Sequence, residues 1–150
     1  SGIGHQRPGG FTRRQRIAFA RIARATTWLG DAERLFNHPP ESFVSSPTDR
    51  DLACFYLFLS IQECIDLAAH WVADAGWGPP DDAGSTFDVL ADRGAIDRDT
   101  AQQLRLASGL RNRIAHGYAL LDYRREQVEA QAGTPALRTF LVAVAHEAGL

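Results

Sequence analysis

The chain has 150 residues, 45% of them hydrophobic and 23% charged, with 16 cationic residues, 18 acidic ones and a formal net charge of −2. That length suits one domain burying roughly two-thirds of its unfolded surface, so folding requires neither a disulfide nor a metal. No stretch approaches 18 uninterrupted apolar residues, which argues against a membrane span, and a near-neutral total favours no class of partner.

The total conceals a segregation. Residues 1–30 carry six arginines (Arg7, Arg13, Arg14, Arg16, Arg21 and Arg24) and no acid, while all 18 acids lie beyond them. Acids dominate residues 74–99, and arginines dominate 105–125. Such asymmetry suits a polyanion on one surface and a basic partner on another, or simply solvated helix faces. Every cation is an arginine, which stays protonated and grips phosphate with two parallel bonds. Methionine is absent, so Ser1-Gly2 reads as a tag remnant or trimmed end. Residues 1–10 are therefore set aside as a flexible N-terminus and 11–150 taken as a single helical domain.

In chain order, residues 11–36 form a first helix, because Ala18, Ile22, Ala25, Leu29, Ala32 and Phe36 recur at three- and four-residue steps. Asn37-His38-Pro39-Pro40 ends it, and a polar loop is expected to about Arg50. A second helix runs from residue 49 or 50 to 75. Its stretch from Leu52 to Leu59, together with Ile61, is apolar nearly all round, so it must be covered on more than one side. One cover would be the domain's own core and the other a second copy of the chain, giving a homodimer; the bland alternative is a central helix fully enclosed by its own bundle. Glu63, Asp66 and His70 then fall within about 60° of one another on that helix. Cys54 and Cys64 lie roughly 15 Å apart along it, too far to bridge. Free buried thiols and no signal peptide lead to the expectation of a cytoplasmic protein.

Residues 76–82 read as a loop, after which Ser85 is expected to cap a short helix ended by a left-handed Gly94. Asp97 is placed to cap the next helix, which carries Ala101, Leu104, Ala107, Leu110 and Ile114 and ends near Gly117. A helical segment over 123–131 follows. Thr134-Pro135 then reads as a cap and first turn of a last helix containing Leu137, Phe140, Leu141 and Val144. The fold class is all-α, a bundle of four to six helices.

Several chemistries drop out. Gly9-Gly10 and Gly76-Trp77-Gly78 lack the lysine and the strand-to-helix context of a phosphate loop, and no His or Cys spacing suits zinc, so no cofactor or metal is expected. Ser85 and Ser108 have no adjacent base, and His5, His38 and His146 read as surface residues.

The informative stretch is Ser108-Gly109-Leu110-Arg111-Asn112-Arg113-Ile114-Ala115-His116-Gly117-Tyr118. Its bland reading is a helix C-terminus, with His116 facing the last carbonyls and Gly117 left-handed behind it. Its functional reading is attack by a ribose 2′-OH on the adjacent phosphodiester. That reaction needs a base, an acid for the 5′ oxygen and a cation on the non-bridging oxygens. Histidine suits either proton role and arginine suits the phosphate, but one histidine cannot easily serve both sides of an in-line displacement. A two-fold dimer would supply two of each.

Arg111-Asn112-x-x-x-His116-x-Tyr118 resembles the motif of the HEPN superfamily. Ile61-Gln62-Glu63-Cys64-Ile65-Asp66-Leu67-Ala68-Ala69-His70 and the segment from Phe87 to Ile96 extend the resemblance to its HepT branch, the toxins of HepT–MntA pairs. The resemblance implies a HEPN-like helical homodimer acting as a metal-independent endoribonuclease with a site composed between protomers. Arg111 and His116 are then the catalytic pair, with Asn112, Arg113 and Asp66 in support. Tyr118 matches the tyrosine that an MntA-like nucleotidyltransferase antitoxin modifies with AMP, which silences the toxin. The alternative is a non-catalytic helical binding partner of a minimal nucleotidyltransferase. On an α-helix Arg111 and His116 lie about 140° apart. Either His116 sits past the helix end or Arg111 works with a second copy's His116. Arg113, closer to the face of His116, stays an alternative phosphate ligand.

Overall fold

The computed structural model describes residues 10–117 and 120–150, which form six helices and no strand. Helix α1 (Arg13–Phe36) starts from a reciprocal cap. The Thr12 hydroxyl accepts from the Gln15 N–H at 3.1 Å, and the Gln15 side chain accepts from the Thr12 N–H at 3.0 Å. The segment read as a loop contains a further short helix, α2 (Pro40–Ser45). Proline is pre-organised for a helix's first position, and the buried Phe43 fixes this turn against Phe36, with ring centroids 5.1 Å apart. Two prolines that end one helix therefore open the next.

Helix α3 (Pro47–Asp74) is the axis of the bundle and packs against all five others. By length and composition it could cross a bilayer, but half of its most apolar window is buried inside the fold, as befits a central core helix. Scattered polar residues break its apolar run without much lowering its mean hydropathy. Helix α4 (Ala83–Asp92) is capped by Asp82 rather than Ser85: the Asp82 carboxylate accepts from both the Ser85 N–H and its hydroxyl, at 2.7 and 2.8 Å. Those bonds hold the Asp82 carboxyl below the usual carboxylate range. Gly94 behind this helix has φ +74°, the left-handed turn its sequence position predicts. Asp97 precedes α5 (Arg98–His116) as expected but makes no side-chain capping bond.

The largest departure is α6 (Tyr123–Glu147), one continuous helix where the sequence suggests two. Pro135 lies inside it and removes one backbone donor. Packing overrides the break, because residues on both sides of the proline are buried, including Ala130, Gly133, Ala136, Leu137 and Phe140. The same helix closes the end of α1. Gln127 donates to the carbonyls of Phe36 and His38 at 2.9 and 2.8 Å, and Gln131 donates to Phe36 at 2.8 Å. These bonds satisfy carbonyls that the helix terminus leaves open.

Since Pro135 is exposed and its packing partners lie on the opposite face, Pro135→Ala restores a donor without disturbing the core. It is expected to raise the unfolding free energy by about 1–3 kcal/mol, the cost of proline within a helix less the entropy it removes from the unfolded chain. Urea denaturation of both proteins checks this.

Candidate functional site

The last turns of α5 carry Arg111, Asn112, Arg113 and His116 on one unbroken helix, because His116 is its final residue. The possibility that His116 sits past the helix end is thereby excluded, and the separation of about 140° from Arg111 holds. Gly117 follows with φ −131°, so the helix does not close on a left-handed glycine; instead the Gly117 N–H donates to the Arg113 carbonyl at 2.9 Å.

Arg111 is half-buried against α3. Its guanidinium carbon lies 5.0 Å from the centre of the Phe58 ring, and its Nε donates to Gln62 Oε1 at 2.9 Å. Its Nη1 donates to Asn112 Oδ1, also at 2.9 Å. Gln62 in turn donates through Nε2 to Asp66 Oδ1 at 3.0 Å. Asp66 therefore reaches Arg111 only through Gln62, and its other oxygen lies 3.9 Å from Arg21 of α1. Gln62 and Phe58 are the site residues that sequence reasoning missed. The signal was available, since 58, 62 and 66 recur at four-residue steps along one side of α3.

Arg113 points elsewhere. It meets both oxygens of Glu126 at 3.3 and 3.4 Å and also pairs with Glu129. Glu126 is only 2% exposed, so this arginine neutralises a buried carboxylate and ties α5 to α6. Other arginines of this region are similarly engaged: Arg105 with Asp88, Arg125 with Glu129 and Arg124 with Glu41. Among the described residues, Arg111 is the cation of the 105–125 stretch with no carboxylate in ion-pair range. The acidic stretch is also largely spent within the chain, as Asp74 pairs with Arg14, Asp92 with Arg98, and Asp82 caps α4.

Glu63 and Asp66 both face Arg21 of α1, whereas His70 stands apart from them. Glu63 accepts from Arg21 at 2.6 Å and Arg24 at 3.5 Å, fastening α1 to α3. His70 lines a separate cavity of about 520 Å³ with Arg14, Trp71 and Asp74. His116 is exposed beside an open groove of about 440 Å³ lined also by Asn112, Arg113, Gly117, Asp122 and Arg125. Asn112 thus touches Arg111 and borders the groove of His116. Tyr118 lies outside the described residues. Tyr123 is described: its hydroxyl donates to Asp51 at 3.1 Å beneath the Arg50 guanidinium, and burial together with Asp51 pushes its phenol pKa upward. Burial raises the Cys54 thiol to about 12 and Cys64 higher still, so neither is poised as a nucleophile. No group of three or more His, Cys, Asp or Glu is arranged to hold a metal among the described residues.

Next to Gln62 and Asp66 on α3 runs an apolar stripe, Leu52, Phe55 and Leu59, of which Leu52 remains 41% and Phe55 47% exposed. An uncovered apolar stripe that continues into a polar cluster is the expected form of an interface carrying a site.

The model of the HepT-like ribonuclease family matches residues 27–144, and the chain belongs to that family. A protein of Archaeoglobus fulgidus named as a candidate RNase is 33% identical over 79 residues, 53% of this chain. The chain spans 59% of the length of that relative. The fold matches a toxin–antitoxin crystal structure with AMP-PNP at TM-score 0.76 and 21% identity, over 85% of this chain and 97% of the other. It also matches the tri-AMPylated Shewanella oneidensis HEPN toxin in complex with its MNT antitoxin, at TM-score 0.77 and 22% identity over 85% and 96%. The helical bundle thus shares the fold of those two structures.

Because Glu126 is buried and Arg113 answers its charge, Arg113→Ala is expected to cost about 2–3 kcal/mol of stability, below the ~3–5 of a fully buried pair because Arg113 keeps a third of its side chain in solvent. Arg111→Ala, which strands no carboxylate, should cost under about 1 kcal/mol by the same denaturation measurement.

Proposed function

We propose that the chain is a metal-independent endoribonuclease toxin acting as a homodimer, with Arg111 and His116 as its catalytic pair. The observation that carries this reading is the setting of Arg111, a guanidinium held by neutral acceptors beside an uncovered apolar stripe. Within one copy, Arg111 and His116 diverge by about 140° on a continuous helix. A second copy seated on Leu52, Phe55 and Leu59 would bring its own His116 towards this Arg111 across the two-fold axis, and two histidines would then serve one scissile phosphate.

In that arrangement one His116 takes the proton of the ribose 2′-OH, whose oxygen attacks the adjacent phosphorus. The second copy's His116 gives its proton to the departing 5′ oxygen. The products are a 2′,3′-cyclic phosphate and a 5′-hydroxyl. Arg111 donates to the non-bridging oxygens as negative charge accumulates there. Asn112 supports Arg111 through its carbonyl oxygen, Asp66 supports it by way of Gln62, and Arg113 holds the α5–α6 junction beneath the groove. The substrate is RNA, since the attacking group is the 2′-OH.

The antitoxin would be an MntA-like nucleotidyltransferase that silences the toxin by attaching AMP to Tyr118, two residues from His116. A bulky anion there competes with the substrate phosphate. The AMPylated toxin in complex with MNT antitoxin among the structural matches supports this partner. Tyr123 is a poor acceptor because its hydroxyl is committed to Asp51 beneath Arg50.

Purified chain should cleave mixed RNA in the presence of a chelator, and His116→Ala should lower the rate at least about 100-fold, in line with the loss of a general acid–base. Equal cleavage by both, or none by either, would overturn the nuclease assignment and leave the role of a non-catalytic partner for the nucleotidyltransferase. Co-expression with that enzyme should raise the intact mass by whole AMP units. The rise should vanish in Tyr118→Phe and persist in Tyr123→Phe.

A further inference from the structure

Among the described residues, Arg111 differs from the ion-paired arginines on and beside α5. Arg98, Arg105, Arg113 and Arg125 each have a carboxylate in range, whereas Arg111 has the side-chain amides of Gln62 and Asn112. A carboxylate beside a guanidinium fixes it but cancels most of its field on a third charge. An amide oxygen fixes it and leaves the charge whole. The nearby carboxylate, Asp66, stands behind Gln62 and accepts from its Nε2 at 3.0 Å. That bond decides which end of the amide faces Arg111, so the oxygen cannot exchange places with the NH₂ group.

We propose that Gln62 is a positioning residue that aims Arg111 while insulating it from Asp66, so that the full cationic charge stays available to an RNA phosphate. This rests on the reading of Arg111 as the phosphate ligand. Phe58, Gln62 and Asp66 form a ladder at four-residue spacing, in which the ring supports the guanidinium face, the amide fixes its edge and the carboxylate orients the amide. Of the five N–H donors of Arg111, Nε and one on Nη1 are engaged among the described residues. The others can meet two oxygens of one phosphate.

Two substitutions of Gln62 separate aiming from insulation. Gln62→Met keeps the size and removes the hydrogen bonds. It is expected to lower kcat about tenfold, with KM changed less than twofold, and to leave the Arg111 Nε–H resonance in fast exchange with water. Gln62→Glu keeps the acceptor facing Arg111 and adds a charge; made together with Asp66→Asn, it also keeps a donor–acceptor pair at position 66 in place of two facing carboxylates. It is expected to raise KM about tenfold and to flatten the salt dependence of binding to a labelled RNA oligonucleotide by about 0.7 of a log unit per log unit of salt, one phosphate contact on a single strand. A merely structural residue would change stability and move neither the KM-against-kcat division nor the salt slope. Gln62→Glu with the KM and salt slope of the wild type would overturn the proposal, as would an unaltered Arg111 Nε–H signal in Gln62→Met. The resonance, assigned by its loss in Arg111→Ala, reports on Gln62 whether or not RNA is cut. An inactive wild type, or an Arg111→Ala variant that cleaves like it, would instead defeat the reading of the site.

Discussion

A helix with no polar face in its first half constrains everything else in this molecule. From Leu52 to Ile61, α3 offers apolar surface nearly all round, and such a helix persists in water only when other elements enclose it. All five other helices pack on it, yet Leu52 and Phe55 stay exposed along one stripe, with Leu59 half-buried at its end. Two buried polar groups in the middle of α3 are answered by partners. The buried Ser60 hydroxyl donates to the Tyr56 carbonyl, and the nearly buried Glu63 meets Arg21 and Arg24. Polarity returns at Gln62 and Asp66, one turn beyond the bare stripe, and there Arg111 of α5 is received. The same helix thus supplies the core, the open apolar face and the side chains that hold Arg111.

The charges acquire meaning only after pairing. Six arginines without an acid in the first thirty residues look like a polyanion surface, but Arg14, Arg21 and Arg24 pair with carboxylates of α3, Arg21 largely buried and the other two at the surface, and Arg24 also lies 5.3 Å from the centre of the Trp28 ring. The arginine-rich stretch over 105–125 resembles a broad groove in sequence, but its pairing with Asp88, Glu126, Glu129 and Glu41 narrows that surface. A phosphate would meet a focused cation rather than a diffuse field. Net charge is silent on this, because it adds paired and unpaired groups alike.

Much of the fold was legible because the information is local. Three- and four-residue apolar spacing marked α1 and α5, a nearly continuous apolar stretch marked α3, and Gly94 marked the end of α4. The failures came where distant packing overruled a local signal. Pro135 reads as a boundary but sits within α6, since buried neighbours on both sides hold the helix together. Pro40 reads as a terminator but opens α2, because Phe43 has Phe36 to pack on. Asp82 and Ser85 are both competent caps, and only geometry decides between them. In the site, Arg111, Asn112 and His116 were visible as a motif. The partner of Arg111 was not, since Gln62 lies 49 residues away and an uncharged glutamine draws no attention in a sequence read for charge.

The unbroken course of α5 through His116 bears on dosage. If the two catalytic groups that serve one phosphate come from different copies, the isolated chain is harmless. Cleavage then grows with the square of chain concentration until dimerisation saturates, and a slight excess of synthesis over dilution marks a sharp boundary between tolerance and arrest. In such a pair one chain with a blocked site would also disable the copy it joins, so that modifying a minority of molecules would remove a larger share of the active pairs.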